Sequence, residues 1–221
     1  MKRKTPLITG KVYHVFNKSI ADFVVFNNDN EFLRMKNLFK YYQIKEPPYK
    51  FNYFVKIKTK ENFDEDFSLC LSDREKIVEI IAYCIMPTHF HLILKQLKKG
   101  GISTFIGNVL NSYSRYFNTK HKRGGPLWEG KFKNVSVETD EQLLHLTRYI
   151  HLNPTSAGLV KKPEEWPYSS YLEYLGKIKK INRICSYEDL IDISPLSYKN
   201  FVESRILYQR ELEKIKHLIL E

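Results

Sequence analysis

The chain has 221 residues, of which 36 are Lys or Arg and 25 are Asp or Glu, so its formal net charge is +11. Three cysteines without a CxxC spacing argue against a disulfide framework, and no apolar run is long enough to span a bilayer. We therefore expect one domain with extensions, or at most two, in the cytoplasm and not in a membrane, with a polyanionic partner such as nucleic acid. Charge alone separates nucleic-acid binding from mere solubility only weakly.

The first third of the chain predicts a strand, a helix and an irregular insertion. Residues 10–17 alternate and are rich in β-branched and aromatic side chains, which is typical of a strand. Apolar residues then recur at helical spacing from Glu31, and this helix is expected to end at Pro47. The insertion at residues 49–75 contains a possible strand at residues 51–58, and the sequence assigns it no function.

Two apolar strands, at residues 77–86 and 89–97, follow the insertion and are joined by a tight turn at Pro87. Because side chains alternate along a strand, His89 and His91 should project from one face while their apolar neighbours point away. Such a pair is compatible with two ordinary strand histidines or with two ligands of a metal ion. A third ligand is needed to decide between these two interpretations. The alternation also leaves open whether His14, on the first strand, faces this site or the solvent.

Residues 103–120 predict a second helix, with Ser103 as its N-cap. The segment 113–133 carries six Lys or Arg and only Glu129 as an acid, interleaved with aromatic residues. This composition favours a groove that neutralises phosphates and stacks bases, although a solvated helix end followed by a glycine loop would look similar. The residues expected to contact nucleic acid are Arg115, Tyr116, Lys120, Lys122, Arg123, Trp128, Lys131, Lys133 and, on the next helix, Arg148.

A strand at residues 135–138 leads into a third helix. Thr139 followed by Gln142 predicts a capping box at its start, and Pro154 is expected to end it at Asn153. One face of this helix is apolar. His145, Tyr149 and Asn153 are spaced by four residues and form a polar stripe on another face. Most such stripes simply meet water.

The remainder of the chain predicts a turn at residues 157–160, a short docking helix at residues 166–171 and a helical tail over residues 186–221. No internal repeat or low-complexity linker separates these parts. We therefore expect a domain over residues 1–175 and a basic, helical C-terminal extension over residues 176–221.

Four motifs occur in a fixed order along the chain. They are Tyr-His-Val at 13–15 with Asn17, Met-Pro-Thr-His-Phe-His-Leu at 86–92, Gly-Pro-Leu-Trp-Glu-Gly at 125–130, and Arg-Tyr-Ile-His-Leu-Asn-Pro at 148–154 with Ala-Gly-Leu-Val at 157–160. In combination they resemble the REP-associated tyrosine transposases, which belong to the single-tyrosine HUH nucleases. The resemblance covers about residues 8–175 and leaves the tail outside.

The resemblance implies an α+β fold in which helices pack on a ferredoxin-like antiparallel sheet. It implies that Tyr149 is the nucleophile and that His89, His91 and Asn153 hold a metal ion. An amide oxygen beside two imidazoles favours Mg²⁺ or Mn²⁺, although zinc would also tolerate the histidines. His145, one turn before Tyr149, is a possible auxiliary residue. The implied intermediate is a 5′-phosphotyrosine.

The function expected from the resemblance is that of a metal-dependent endonuclease and strand transferase for single-stranded, hairpin-flanked DNA, acting as a monomer or homodimer. A non-catalytic DNA-binding regulator that keeps the fold is the alternative, and a hydrolase that uses water would not need Tyr149. Tyr113 and Tyr116 are weaker nucleophile candidates, because neither is followed by a ligand-type residue and a proline. Two departures from the family pattern are Thr88, where Asn or Glu often precedes the first histidine, and the long insertion.

Overall fold

The computed structural model describes residues 6–57, 67, 69 and 74–211. Its elements in chain order are β1 (Val12–Lys18), α1 (Asp29–Tyr41), α2 (Phe51–Ile57), β2 (Val78–Ile85), β3 (His89–Gln96), α3 (Gly101–Lys120), β4 (Lys133–Val137), α4 (Asp140–Ser156), α5 (Tyr171–Tyr174) and α6 (Pro195–Glu203). The four strands form one antiparallel sheet in the order β2-β3-β1-β4. With α1 and α3 as the two connecting helices, this is the predicted ferredoxin-like α+β arrangement, which is confirmed.

The two faces of the sheet carry different residues. One face packs against α1 and α3, where the ring of Phe90 on β3 lies 5.5 Å from that of Phe39 on α1. The other face carries His89 and His91, and α4 contacts β2 and β3. Phe90 and Leu92 are fully buried on the helix side, so the predicted alternation of β3 is confirmed.

The β2–β3 hairpin turns at Pro87 and Thr88 and holds the first histidine in place. The Met86 N–H donates to the His89 carbonyl at 2.8 Å, and the His89 N–H donates back at 3.3 Å. The Pro87 carbonyl accepts the N–H groups of both Val25 and Phe26, at 2.9 and 3.1 Å. The turn is therefore fastened to the segment that follows β1.

The outer edge of β2 is covered by residues from much later in the chain. The Ser170 N–H donates to the Tyr83 carbonyl at 2.9 Å, and the Ser170 hydroxyl accepts the Tyr83 N–H at 2.9 Å. Further along the strand, the Ser186 N–H donates to the Ile80 carbonyl at 2.9 Å. An unpaired sheet edge offers backbone groups to other chains, so this cover removes a route to association.

The insertion contains a helix where a strand was expected. The possible strand at residues 51–58 was wrong: α2 forms over Phe51–Ile57 because Phe51 and Phe54, three residues apart, are both buried beside Tyr41. Residues 58–66, which hold the acidic part of the insertion, lie outside the described residues.

Helix α1 ends earlier than predicted, at Tyr41 and not at Pro47. Beyond it the chain leaves the helical path to pair with the approach to β2. The Lys45 N–H donates to the Glu75 carbonyl at 2.7 Å, and the Ile77 N–H donates to that of Gln43 at 2.8 Å. The backbone bonds of this stretch therefore go to a neighbouring segment before the prolines are reached.

Helix α3 begins at Gly101, so the predicted N-cap Ser103 was wrong and lies inside the helix. Gly100 precedes the helix with φ +74°, a left-handed conformation that glycine adopts without strain. A Cβ on Gly101 would collide with the carbonyl oxygen of Ile77. Two glycines are therefore required where this helix starts against the sheet.

Helix α4 begins as predicted but does not end at Pro154. The Thr139 hydroxyl accepts the Gln142 N–H at 3.1 Å, which confirms the cap, while the Gln142 side chain reaches the N–H of Glu138 instead of that of Thr139. Proline removes one donor, yet the following N–H groups still bond back, as in Ala157 to Asn153 at 2.9 Å. The helix therefore continues to Ser156.

The C-terminal part packs on the core. The short helix predicted at residues 166–171 is found later in the chain, as α5 at Tyr171–Tyr174. Of the predicted helical tail, α6 covers Pro195–Glu203, whereas residues 186–194 are not helical. Tyr187 and Tyr198 are buried. The boundary after residue 175 stays a prediction, and residues 212–221 lie outside the described part. Among the helices that the structure describes, none has the length and apolarity to cross a membrane.

Candidate active site

Three histidines meet on the face of the sheet that is turned away from α1 and α3. His89 and His91 lie on β3 with ring centroids 5.1 Å apart and planes nearly perpendicular. His14 on β1 faces Ile93 in the strand register, so it lies diagonal to His91. The Nε2 of His14 is 3.0 Å from the Nδ1 of His91, and the two rings stack at 5.1 Å. His14 therefore faces this site and not the solvent.

Tyr149 on α4 lies against this cluster. Its ring centroid is 5.9 Å from that of His91 and 6.4 Å from that of His14, edge-on in both cases. Asn153 follows one helical turn later, on the same face of α4. The polar stripe on α4 thus meets histidines at Tyr149, while His145 at its other end is half-exposed.

Among the described residues, His89 and His91 each form a side-chain hydrogen bond through one ring nitrogen. The Nδ1 of His89 is 3.0 Å from the hydroxyl of Thr88, and the Nδ1 of His91 is 3.0 Å from His14. Within that part of the chain, both Nε2 atoms are therefore without a hydrogen-bond partner.

Burial keeps all three histidines neutral. It lowers the pKa of His14 to about 4 and also lowers the pKa of His89. The pKa of His91 falls well below its usual value through burial first, and then through the proximity of His14 and His89. Neutral imidazole is the form that binds metal ions.

Whether a metal ion fits here depends on Asn153. Within the described residues, no group of three or more His, Cys, Asp or Glu is placed to hold a metal ion. The amide nitrogen of Asn153 is buried and has no hydrogen-bond partner in that part of the chain. A flip of the side-chain amide places Oδ1 where the nitrogen now lies. An amide oxygen is a ligand of the kind that Mg²⁺ and Mn²⁺ take. By donor type, two imidazoles and one amide oxygen suit such an ion, and the assignment of His89, His91 and Asn153 as its ligands stays a prediction.

A cleft of about 280 Å³ opens beside His89 and His91. Its charged lining consists of Lys18, Asp22, Glu129, Lys131 and Lys133. Lys133 pairs with Phe16 in the β1–β4 register and so shares the face of the histidines. Two of the residues expected to contact DNA, Lys131 and Lys133, thus lie in the same cleft as His89 and His91.

The residues expected to contact DNA on α3 lie away from this cleft, since α3 packs on the other face of the sheet. Arg115 is exposed and lines a separate pocket. Lys120 bonds the buried carboxylate of Glu31 at 2.8 Å. Burial opposes ionisation of Glu31, but hydrogen bonds from Lys120, Asn27 and His121 lower its pKa to about 2. The ring of Tyr116 stacks under the Arg34 guanidinium at 4.9 Å.

The loop after α3 holds two more of the residues expected to contact DNA, Lys122 and Arg123. Lys122 is exposed with φ +50°. The guanidinium of Arg123 lies 5.3 Å over the ring of Phe23 and donates to the side chain of Asn118 and the carbonyl of Pro126. These two cations are not in the lining of the histidine cleft.

Trp128 does not have the stacking role expected of it. It is only 8% exposed, and its indole N–H donates to the Ser114 hydroxyl at 3.0 Å. The rings of Phe26, Phe90 and Tyr113 surround it within 6.3 Å. This tryptophan packs the core and leaves no free ring face for a base.

Arg148 and His145 face the C-terminal extension. They bond each other at 2.8 Å, and their side chains lie 4.2 and 5.6 Å from the ring of Phe201, just beyond the middle of α6. No contact joins either residue to the three histidines within the part of the chain that the structure describes. Their roles in DNA binding and as an auxiliary group stay predictions.

His14 is the site residue that sequence reasoning did not select. The alternation of β1 left its direction open, and its proximity to His91 depends on how β1 and β3 pair. The one available signal was its place in the Tyr-His-Val motif.

Comparisons with known proteins agree on one group. The family described as "Transposase IS200 like" matches residues 37–153. A candidate REP-associated tyrosine transposase of Haemophilus influenzae is 29% identical over 104 residues, which are 42% of this chain and 58% of that protein. A REP-associated tyrosine transposase of Escherichia coli is 25% identical over 100 residues, which are 44% of this chain and 57% of that protein. This chain thus spans less than three fifths of the length of either relative.

A solved structure of a REP-associated tyrosine transposase bound to a REP hairpin superimposes with a TM-score of 0.53. The superposition covers 88% of this chain and 96% of that one, at 14% sequence identity. At this identity the likeness shows a shared fold, and it extends over most of both chains.

Proposed function

Because this chain belongs to the family of IS200-like transposases, which matches its residues 37–153, we propose that it cuts and rejoins single-stranded DNA with Tyr149 as the nucleophile. The observation that carries the proposal is the position of the Tyr149 ring, 5.9 Å from the ring of His91. Of the tyrosines considered, Tyr113 is buried in the core and Tyr116 lies under Arg34 on α3. Tyr149 alone among these three meets the histidines.

The reaction is a transesterification. The Tyr149 oxygen attacks the phosphorus of a phosphodiester and loses its proton, while the bond from phosphorus to the 3′ oxygen breaks and that oxygen takes up a proton. The products are DNA joined through its 5′ phosphate to Tyr149 and a free 3′-hydroxyl. Attack by a 3′-hydroxyl on the phosphotyrosine reverses the step and rejoins DNA without an external energy source.

Tyrosine needs help to act as a nucleophile, because its phenol has a reference pKa of about 10. Lys131 and Lys133 line the cleft and can neutralise the phosphate that approaches it. His89, His91 and Asn153 would hold Mg²⁺ or Mn²⁺, which supplies Lewis-acid polarisation of a phosphate oxygen when bound. Helix α4 fixes the direction from which Tyr149 attacks.

The substrate we propose is single-stranded DNA flanked by a hairpin. The support is the solved relative of the same fold, which is bound to a REP hairpin. The net charge of +11 also favours a polyanion. A cytoplasmic location and a monomeric or dimeric state stay predictions from the sequence.

Covalent trapping tests the proposal. The full chain is incubated with Mg²⁺ or Mn²⁺ and hairpin DNA labelled at its 3′ end, the end that stays on the protein, and is run on a denaturing gel. We expect a protein–DNA adduct that Tyr149→Phe abolishes, while the exposed Tyr53→Phe retains it.

Each other result selects a different function. An adduct with Tyr149→Phe would show that another residue is the nucleophile. Cleavage without any adduct would indicate a hydrolase that uses water. Binding without cleavage of any hairpin substrate would indicate a non-catalytic DNA-binding protein.

A further inference from the structure

The hydrogen bond between His14 and His91 links a residue without an assigned role to an expected metal ligand. The two nitrogens are 3.0 Å apart, which is a normal hydrogen-bond length. His14 lies on β1, which pairs with β3 on one side and β4 on the other, so its backbone is held from both sides. The ring of His14 also packs 5.1 Å from that of Phe16. The position of His14 is therefore fixed by the sheet.

We propose that His14 is a positioning residue, which accepts a hydrogen bond from the Nδ1–H of His91 and so keeps the Nε2 of His91 unprotonated and directed at the metal. The inference rests on the proposed function, because it assigns a role toward the ion that His89, His91 and Asn153 would hold. It adds to the site a residue to which the family resemblance gives no role.

The chemistry of imidazole links this hydrogen bond to metal binding. A neutral imidazole carries one proton, so a ring that binds a metal through Nε2 must carry its proton on Nδ1. Metal-bound histidines almost always donate that second N–H to a carboxylate, carbonyl or other acceptor. Among the described residues, the hydrogen-bond partner at the Nδ1 of His91 is the Nε2 of His14. At His89, the hydrogen-bond partner of Nδ1 is the hydroxyl of Thr88.

A ligand role for His14 itself does not fit the geometry. Its Nε2 is directed at His91, and in the described part of the chain the three histidines do not form a group that could hold a metal ion. The alternative bond, in which His14 donates to His91, would place a proton on the His91 Nε2 and block it. The direction of this one hydrogen bond therefore decides the inference.

Measuring Mn²⁺ binding to the 221-residue chain in the absence of DNA tests this inference. Mn²⁺ affinity is measured by electron paramagnetic resonance for the wild type, His14→Phe, His14→Gln and Val135→Ala. His14→Phe keeps a ring but removes the acceptor, and we expect Mn²⁺ binding to weaken about 10- to 100-fold. His14→Gln can place an amide oxygen near the same point, so we expect it to stay within about threefold of the wild type. Val135 faces His14 from β4 and its apolar side chain cannot hydrogen-bond to the imidazole, so Val135→Ala should bind as the wild type does.

Nitrogen-15 NMR of the metal-free wild type gives a second readout that needs no variant. We expect His91 and His14 both to be protonated on Nδ1, and protonation of His91 on Nε2 would overturn the inference even where His14→Phe does not fold. Unchanged Mn²⁺ affinity in a folded His14→Phe would overturn it while leaving the proposed function standing. Failure of the wild type to bind Mn²⁺ would overturn the metal site itself, and the inference with it.

Discussion

At the scale of single residues, Asn153 illustrates a site that is not optimised for stability. A buried polar atom without a partner costs about 1–3 kcal/mol, and the amide nitrogen of Asn153 has no hydrogen-bond partner among the described residues. Neighbouring positions of α4 such as Ile150 and Leu152 are apolar and fully buried. An amide kept at this position is consistent with the proposed ligand role.

Replacing Asn153 should separate stability from metal binding. Asn153→Leu has the same number of side-chain heavy atoms and removes the unpaired amide, so we expect the free energy of unfolding to stay level or rise by up to about 1 kcal/mol. Mn²⁺ binding and adduct formation should be lost. Urea unfolding and Mn²⁺ titration measure the two effects. Asn153→Asp, which keeps an oxygen ligand, serves as the control, and normal Mn²⁺ affinity in Asn153→Leu would contradict the ligand assignment.

The buried His151 should make stability depend on pH. It lies 2.7 Å from both the Tyr198 and Ser170 hydroxyls, and burial lowers its pKa to about 3. The unfolded chain takes up a proton below the usual value of about 6.5, whereas the folded chain does not until about 3. The free energy of unfolding should therefore fall as the pH drops from about 6.5 to 3, by up to about 1.4 kcal/mol per pH unit for one histidine.

Urea unfolding at pH 7, 6 and 5 checks this dependence. His151→Gln can keep one hydrogen bond but does not titrate, so its stability should vary less steeply with pH. The other buried histidines, His14, His89 and His91, contribute with the same sign and are present in both proteins. An identical slope in the wild type and His151→Gln would contradict the assignment.

At the scale of elements, α6 is fastened to the helix that carries the proposed nucleophile. The Tyr198 hydroxyl lies 2.7 Å from the Nδ1 of His151 and donates to the Thr147 hydroxyl at 2.9 Å. His151 and Thr147 both belong to α4, on the side turned from solvent. The C-terminal extension thus helps to set the position of α4 on the sheet.

Removing the Tyr198 hydroxyl should loosen this attachment. Tyr198→Phe leaves His151 and Thr147 without that partner, so we expect a loss of about 1–3 kcal/mol in the free energy of unfolding, measured in urea. Tyr208→Phe is the matched control, because Tyr208 is 52% exposed and should change stability little. Equal stability of the two variants would contradict this role of Tyr198.

The sequence predicted the elements whose residues repeat with a clear period. The two-residue alternation of β3 gave the common face of His89 and His91, and the cap at Thr139 gave the start of α4. The continuation of α4 beyond Pro154 was missed, because a proline limits the residue before it but does not prevent later bonds. The burial of Trp128 was missed because its surroundings come from other elements. The same reason applies to His14, whose contact with His91 depends on strand pairing.

At the scale of the whole molecule, positive charge is not confined to one groove. The cations near the histidines, Lys131 and Lys133, lie on one side of the sheet, while Arg115 and Lys120 lie on the other. Lys120 also neutralises the buried Glu31, so part of its charge serves the fold. The net charge of +11 therefore overstates the charge available to the DNA at the proposed site.

The salt dependence of DNA binding should identify the cations that contact phosphate. We expect the Lys131→Ala/Lys133→Ala variant to bind single-stranded DNA more weakly and to reduce the slope of log affinity against log salt by about 1.4, at about 0.7 per phosphate contact. Fluorescence anisotropy at several salt concentrations measures this slope. The exposed pair Lys161→Ala/Lys162→Ala carries the same charge change and should leave the slope nearly unaltered. Equal slopes for both variants would show only a general effect of net charge.

The cover over the outer edge of β2 has a consequence for how the protein is made. Strand β2 ends at Ile85, but Ser170, which seals it, is translated about 85 residues later. At roughly 5–20 residues per second, a ribosome needs roughly 4 to 17 s to reach it. During that interval a strand whose side chains are nearly all apolar has an unpaired edge, so we expect nascent or prematurely terminated chains to be more prone to aggregation than the complete fold.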